Sequence, residues 1–149
     1  MRRLCAALLF ALLALLTGAS NVAAQLSVSG SPPLLRISAA AAGSQPTSVT
    51  NSTTTYTITA ITLFALKVTG QLNAAMPTGM TLTATLAAPP GATSAGAVQL
   101  DATARDLVTN IVLLSIATRS ITYQLKATPA AGVVPTQSRT VTLTLTAAP

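Results

Sequence analysis

The feature that most constrains the fold is a strict alternation of threonine with apolar residues. Thr140–Thr146 reads Thr-Val-Thr-Leu-Thr-Leu-Thr, and Thr55–Thr59 and Thr81–Leu86 follow the same pattern. Successive side chains of an extended strand point to opposite faces, so one face receives aliphatic groups and the other receives hydroxyls. Threonine is β-branched and suits a pleated strand, while its hydroxyl remains in water. The alternation therefore predicts half-buried β-strands.

Clusters of Gly and Pro, such as Gly30–Pro33 and Ala88–Gly91, separate these runs and are typical of turns. Further strands are predicted at Gln25–Ser29, Leu34–Ser38, Leu63–Leu72, Ala97–Ala104 and Ser120–Thr128. A weak helix signal lies near Asp106–Ile111, and Ile111–Leu114 fits a buried strand or a turn of helix. Seven or eight short strands at this spacing predict an all-β fold, a single antiparallel β-sandwich of the Ig-like kind.

The N-terminus has the three parts of a secretory signal peptide. Met1–Arg3 is basic, Leu4–Leu16 is apolar, and Val22–Ala24 provides small residues for cleavage before Gln25. We therefore expect residues 1–24 to be a signal peptide, with an uncleaved anchor as the alternative, and residues 25–149 to form the domain. The protein is then exported, to the periplasm, the cell surface or the medium. Leu4–Leu16 is shorter than the ~20 residues of a spanning helix, and no transmembrane segment is expected after cleavage.

The residue types present exclude most catalytic chemistry. The chain has no His, and its single Cys, Cys5, lies in the predicted signal peptide. We therefore expect no imidazole base, no thiolate nucleophile, no cofactor and no metal site. The carboxylates are Asp101 and Asp106 alone, which would face opposite sides of a continuous strand but could meet across a turn. We expect them to flank a turn that Asp106 caps, and we predict that the protein is not an enzyme.

The net charge of +6 does not indicate a nucleic-acid partner. A binding surface would need clustered cations or stacking aromatic rings. After residue 24 the cations are scattered along the sequence, at Arg36, Lys67, Arg105, Arg119, Lys126 and Arg139. We interpret them as solubilising charges and as protection of exposed sheet edges.

Three aromatic residues after the signal peptide are the candidate contacts for a ligand: Tyr56, Phe64 and Tyr123. Sugar-binding platforms usually use exposed rings, and small apolar ligands bind in concave pockets. The alternative function is therefore a soluble extracytoplasmic binding module for a glycan or a small apolar ligand. It predicts a pocket lined by at least one of these rings.

Several segments carry a family resemblance. Leu26-Ser-Val-Ser-Gly-Ser-Pro-Pro, Leu72-Asn-Ala-Ala-Met-Pro-Thr-Gly-Met-Thr-Leu and the stretch from Ala131 to Leu145 resemble small, uncharacterised secreted proteins of Gram-negative bacteria. More distantly, the order of signal peptide, apolar first strand, sandwich and regularly alternating last strand resembles that of fimbrial subunits and spore coat U-like domains. That resemblance implies a fimbrial-like role in structure or adhesion at the cell surface.

Strand addition is the physical route that we expect for such a role. An exposed sheet edge accepts an extended segment from a neighbour through backbone hydrogen bonds, and alternate side chains fill a groove. The candidate donor is Gln25–Ser29, with Leu26 and Val28 as the inserted side chains; the alternative is that this segment is the first strand of its own sheet. The candidate acceptor edge is Thr140–Thr146, with Val141, Leu143 and Leu145 facing inward. The partner is expected to be another copy or another surface protein.

Overall fold

The computed structural model describes residues 24–41, 43–61, 64–112 and 114–149. The predicted signal peptide lies outside these residues, apart from Ala24. The strands are β1 (Gln25–Ser29), β2 (Val49–Ile61), β3 (Leu66–Leu72), β4 (Met80–Leu86), β5 (Thr93–Ser94), β6 (Val98–Gln99), β7 (Arg105–Ile111), β8 (Leu114–Ala127) and β9 (Val141–Ala147). A single 3-10 turn, Pro129–Ala131, lies between β8 and β9.

These strands form two antiparallel sheets. The five-stranded sheet has the order β1-β2-β8-β4-β6, and the four-stranded sheet has the order β5-β7-β3-β9. The predicted all-β antiparallel sandwich is confirmed. The strand count exceeds the expected seven or eight because two short strands, β5 and β6, each contribute only two residues. Over the described ranges, no helix is long and apolar enough to cross a membrane.

The core lies between the two sheets, and β2, β3 and β4 contribute every second residue to it. In β2 the inward residues are Tyr56, Ile58 and Ala60, and all three are fully buried. The facing sheet contributes Val68 of β3 and Leu107 of β7, which are equally buried. Removing these side chains from water supplies the main driving force for folding, at about 25 cal/mol per Å² of apolar surface.

The outer faces carry the hydroxyls and amides, as the alternation predicts. On the five-stranded sheet, the Thr57 and Thr118 hydroxyl oxygens lie 2.8 Å apart across β2 and β8. Further along the same pair of strands, the Gln124 side-chain amide donates to the Thr50 hydroxyl at 3.4 Å. Neutral polar side chains therefore cover this face, which explains how a chain with so few charges keeps a polar surface.

Two local predictions are wrong, and the strand predicted at Ala97–Ala104 is reduced to Val98–Gln99. The weak helix candidate at 106–111 is strand β7. The register between β3 and β7 shifts near Val68. At this irregularity two consecutive residues, Leu107 and Val108, are buried. The sequence of β7 therefore lacks the alternation of apolar and polar residues that predicts a strand. Leu34–Ser38 forms no strand, although Leu35 packs against the core from its loop.

Two strand edges lie open on the same side of the sandwich. β1 ends the five-stranded sheet and β9 ends the four-stranded sheet, and the two strands approach each other across the sandwich. Within the described residues, no strand pairs with the outer edge of either. This side of the molecule therefore presents unpaired backbone groups.

Candidate interaction edge on strand β9

The hydrogen bonds between β3 and β9 determine which backbone groups of β9 point outward. Asn73 N–H donates to the Thr140 carbonyl at 3.0 Å, and Ala148 N–H donates to the Ala65 carbonyl at 2.9 Å. Hydrogen-bonded and non-hydrogen-bonded pairs alternate in an antiparallel ladder. Even-numbered residues of β9 therefore bond to β3. The outward N–H and C=O groups belong to the odd-numbered residues, Val141, Leu143, Leu145 and Ala147.

The side chains of Val141, Leu143 and Leu145 face inward, as predicted from the sequence. They are partly buried and pack against the core, whereas the threonines between them are exposed. Their incomplete burial follows from their position at the rim of the sandwich, where no other strand of the described part of the chain covers them. A strand added beside β9 would bury these three side chains further.

Strand β9 has none of the features that usually keep an exposed sheet edge from pairing with another strand. Natural edges are usually short, bulged, charged or interrupted by proline. The edges on the other side follow this rule, because β5 and β6 have two residues each. β9 has seven residues with no charge and no proline, and its register with β3 runs without a shift. It is the long, regular edge of the described part of the chain.

The predicted donor segment has its own place in the sandwich. Gln25–Ser29 is β1, which pairs with β2 from Gln25 opposite Thr59 to Ser29 opposite Thr55. The side chain of Leu26 is partly buried against the core, and that of Val28 is 50% exposed. In this structure the segment is therefore the first strand of its own sheet, which is the alternative that the sequence left open.

The three candidate ligand aromatics lie apart from one another. Tyr56 is fully buried, and its hydroxyl donates to the Ala87 carbonyl at 2.5 Å. Burial raises the pKa of Tyr56 to about 12, against a smaller opposing effect of the Arg119 charge. Tyr123 is 5% exposed, and burial raises its pKa as well. Phe64 is 78% exposed. The two tyrosines are thus core residues, and Phe64 lies on the surface.

Each carboxylate has its own cation. Asp101 Oδ2 lies 2.6 Å from Arg105 Nη2, and this hydrogen bond is the largest cause that lowers the pKa of Asp101. Asp106 Oδ1 lies 3.0 Å from Lys67 Nζ. Asp101 also accepts the Thr103 N–H at 2.7 Å, so Asp101 rather than Asp106 caps the turn. Among the described residues, no three His, Cys, Asp or Glu side chains cluster as metal ligands do.

A groove that the sequence does not predict lies at one end of the sandwich and has a volume of about 790 Å³. The loop between β1 and β2, the loop between β3 and β4 and the connection between β8 and β9 surround it. Its lining includes Leu34, Ile37, Met76, Val133 and Arg36, and it includes none of the three candidate aromatics. The available signal was the apolar content of Leu34–Ser38, where Leu35 and Ile37 are partly buried although the segment joins no sheet.

Comparison of the chain with protein-family models, with curated proteins and with solved structures finds no match. The geometry of the β9 edge and of the groove is therefore the basis for assigning a function.

Proposed function

We propose that this protein is an exported, non-enzymatic structural or adhesive component of the cell surface. It assembles with its neighbours by strand addition at the open edge of β9. The observation that carries the proposal is the set of outward backbone groups on Val141, Leu143, Leu145 and Ala147. An extended partner segment would satisfy them and continue the four-stranded sheet.

Two further observations support assembly over catalysis. The side chains of Val141, Leu143 and Leu145 stay partly exposed at this rim, so an added strand gains apolar burial as well as hydrogen bonds. The two carboxylates are each held by a cation of the chain, Arg105 or Lys67, and these ion pairs support a structural role for both. Export is supported by the layout of residues 1–24.

Two neighbouring alanines provide a matched test. The Ala147 N–H points outward, so Ala147→Pro removes a donor from the open edge and leaves the bonds to β3 intact. The Ala148 N–H donates to Ala65, so Ala148→Pro weakens the β3–β9 pairing and leaves the open edge unchanged. We expect light scattering over a concentration series to show oligomers for the natural chain.

Ala147→Pro should reduce this association without lowering the melting temperature. Ala148→Pro should lower the melting temperature and leave the association of the folded fraction largely unchanged. A natural chain that stays monomeric at every concentration, alone and with candidate surface partners, would contradict the proposal.

The end groove favours a second candidate function, the binding of a small apolar ligand. Its apolar lining includes Leu34, which is 70% exposed, and Val133, which is fully exposed. Exposed aliphatic side chains around a concave site are typical of ligand pockets. Titration with a hydrophobic fluorescent probe should give a signal that Val133→Lys abolishes. An unchanged signal in this variant would exclude the groove.

A further inference from the structure

We infer that the strand added to β9 is β9 of a second copy, which gives an antiparallel dimer with Thr144 on the two-fold axis. This inference rests on the proposed function, because it names the partner of the same edge. The two four-stranded sheets would then join into one continuous sheet.

The sequence of the edge is nearly self-complementary. Val141–Ala147 has the same order of apolar and polar residues when it is read backwards about Thr144, and only Val141 and Ala147 exchange places. An antiparallel partner presents its sequence in reverse order. A second β9 therefore continues the threonine face with threonines and the aliphatic face with aliphatic residues, as one buried face requires.

The direction of the backbone groups restricts the register. Outward N–H and C=O groups belong to odd-numbered residues, so odd residues of one copy must lie opposite odd residues of the other. An axis through Thr144 places Val141 opposite Ala147 and Leu143 opposite Leu145. This register uses all of β9 in both copies and forms about eight hydrogen bonds.

Charge also favours a second copy over an oppositely charged partner. β9 contains no charged residue, so it offers no attraction to an acidic segment and no repulsion to another β9. The nearest cation along the chain is Arg139, whose guanidinium is bound to the Ala75 carbonyl at 3.1 Å and to Gln137 Oε1 at 2.7 Å. A neutral, self-complementary strand is therefore the partner that this edge fits.

Two single-cysteine variants of the full chain test the inference, each carrying Cys5→Ser so that the introduced thiol is alone. Thr144 would form a non-hydrogen-bonded pair with itself, with α-carbons about 4.5 Å apart, which lies within the range of a disulfide. Thr142 lies on the same exposed face, but the Thr142 residues of the two copies would be about 13 Å apart. We expect mild oxidation to give a disulfide-linked dimer of Thr144→Cys and to leave Thr142→Cys monomeric.

A third variant, Thr144→Lys, places two ammonium groups opposite each other on the axis. It should raise the dissociation constant of the dimer roughly tenfold. Thr118→Lys, on the outer face of β8, should leave that constant unchanged. Equal cross-linking of both cysteine variants, or of neither, overturns the inference.

The failure of this inference can be separated from the failure of the proposed function. A synthetic peptide with the sequence of Gln25–Ser29, added to the Thr144→Lys variant, tests whether another extended segment occupies the edge. If the cysteine variants do not cross-link but the peptide shifts the amide resonances of Val141–Ala147, the inference is wrong and strand addition stands. If neither occurs, both are wrong.

Discussion

Leu143 of β9 lies directly opposite Gly70 of β3, and its side chain fills the space beside the missing β-carbon. A β-carbon at position 70 would lie 3.2 Å from Leu143 Cδ2 and 2.6 Å from Leu107 Cδ1. Gly70 therefore lets two leucines, one from each neighbouring strand, meet over β3. This contact anchors the inward face of β9 while its outer edge stays open.

Gly70→Ala should lower the free energy of unfolding by about 1–3 kcal/mol, because both leucines must move to admit the methyl group. Urea unfolding followed by circular dichroism measures this change. Gln71→Ala changes the neighbouring exposed position and is the matched control, with little effect expected. Equal stability of the natural chain and Gly70→Ala would show that β9 does not pack over Gly70 in this way.

The hydroxyl of Thr54 is buried at the irregular part of the β2–β8 pairing and has no hydrogen-bond partner among the residues that the structure describes. A buried polar group without a partner is costly, so Thr54→Val should raise the free energy of unfolding by about 1 kcal/mol. Thr54→Ser keeps the hydroxyl and removes a methyl group, and it should lower stability. Thermal unfolding of both variants checks the prediction, and a destabilised Thr54→Val would contradict it.

Tyr56→Phe should lower the free energy of unfolding by about 1 kcal/mol, since the hydrogen bond from the Tyr56 hydroxyl to the Ala87 carbonyl is lost. The pH dependence follows from the raised pKa of about 12 for Tyr56 in the folded protein, against a usual value of 10.0. The folded state binds this proton more tightly than the unfolded state. The contribution of Tyr56 to the free energy of unfolding is therefore fully present below pH 10, and it decreases as the pH rises from about 10 to 12.

Urea midpoints measured from pH 8 to 12 test this dependence. The natural chain should lose stability above pH 10, and Tyr56→Phe should lose less. Some loss should persist in the variant, because burial also raises the pKa of Tyr123. Identical slopes for the two proteins would contradict the prediction for Tyr56.

Asp101 is partly exposed and its partner Arg105 is exposed, so the main contribution of Asp101 is the capped turn rather than the ion pair. Asp101→Asn keeps an oxygen that can accept the Thr103 N–H, and it should have little effect on the melting temperature. Asp101→Ala removes the acceptor and should lower that temperature more. The lowered pKa of Asp101 makes its contribution complete above the unfolded pKa, and the contribution is lost as the pH falls through the folded pKa. A larger loss for Asp101→Asn than for Asp101→Ala would reverse this assignment.

The sequence predicts the sandwich and its inward residues because alternation determines which side chains can share a core. It predicts β9 and its three inward aliphatics correctly, since that strand is regular and pairs without a shift. The sequence prediction fails at β7, where the irregular pairing with β3 removes the alternation of buried and exposed residues. The groove escapes sequence reasoning because its lining comes from three loops that meet only in the folded chain. The sequence of β9 alone also does not determine which of its N–H and C=O groups point outward, because this depends on how β9 pairs with β3.

Amide hydrogen exchange in β9, followed by NMR at low and high protein concentration, tests the central claim most directly. In the dilute protein, the N–H groups of Val141, Leu143, Leu145 and Ala147 should exchange fast, and those of Thr142, Thr144 and Thr146 should exchange slowly. At high concentration, the odd-numbered amides should become as protected as the even-numbered ones. Odd-numbered amides that are already slow in the monomer, or that stay fast at every concentration, would contradict an edge that is open and joined by a neighbour.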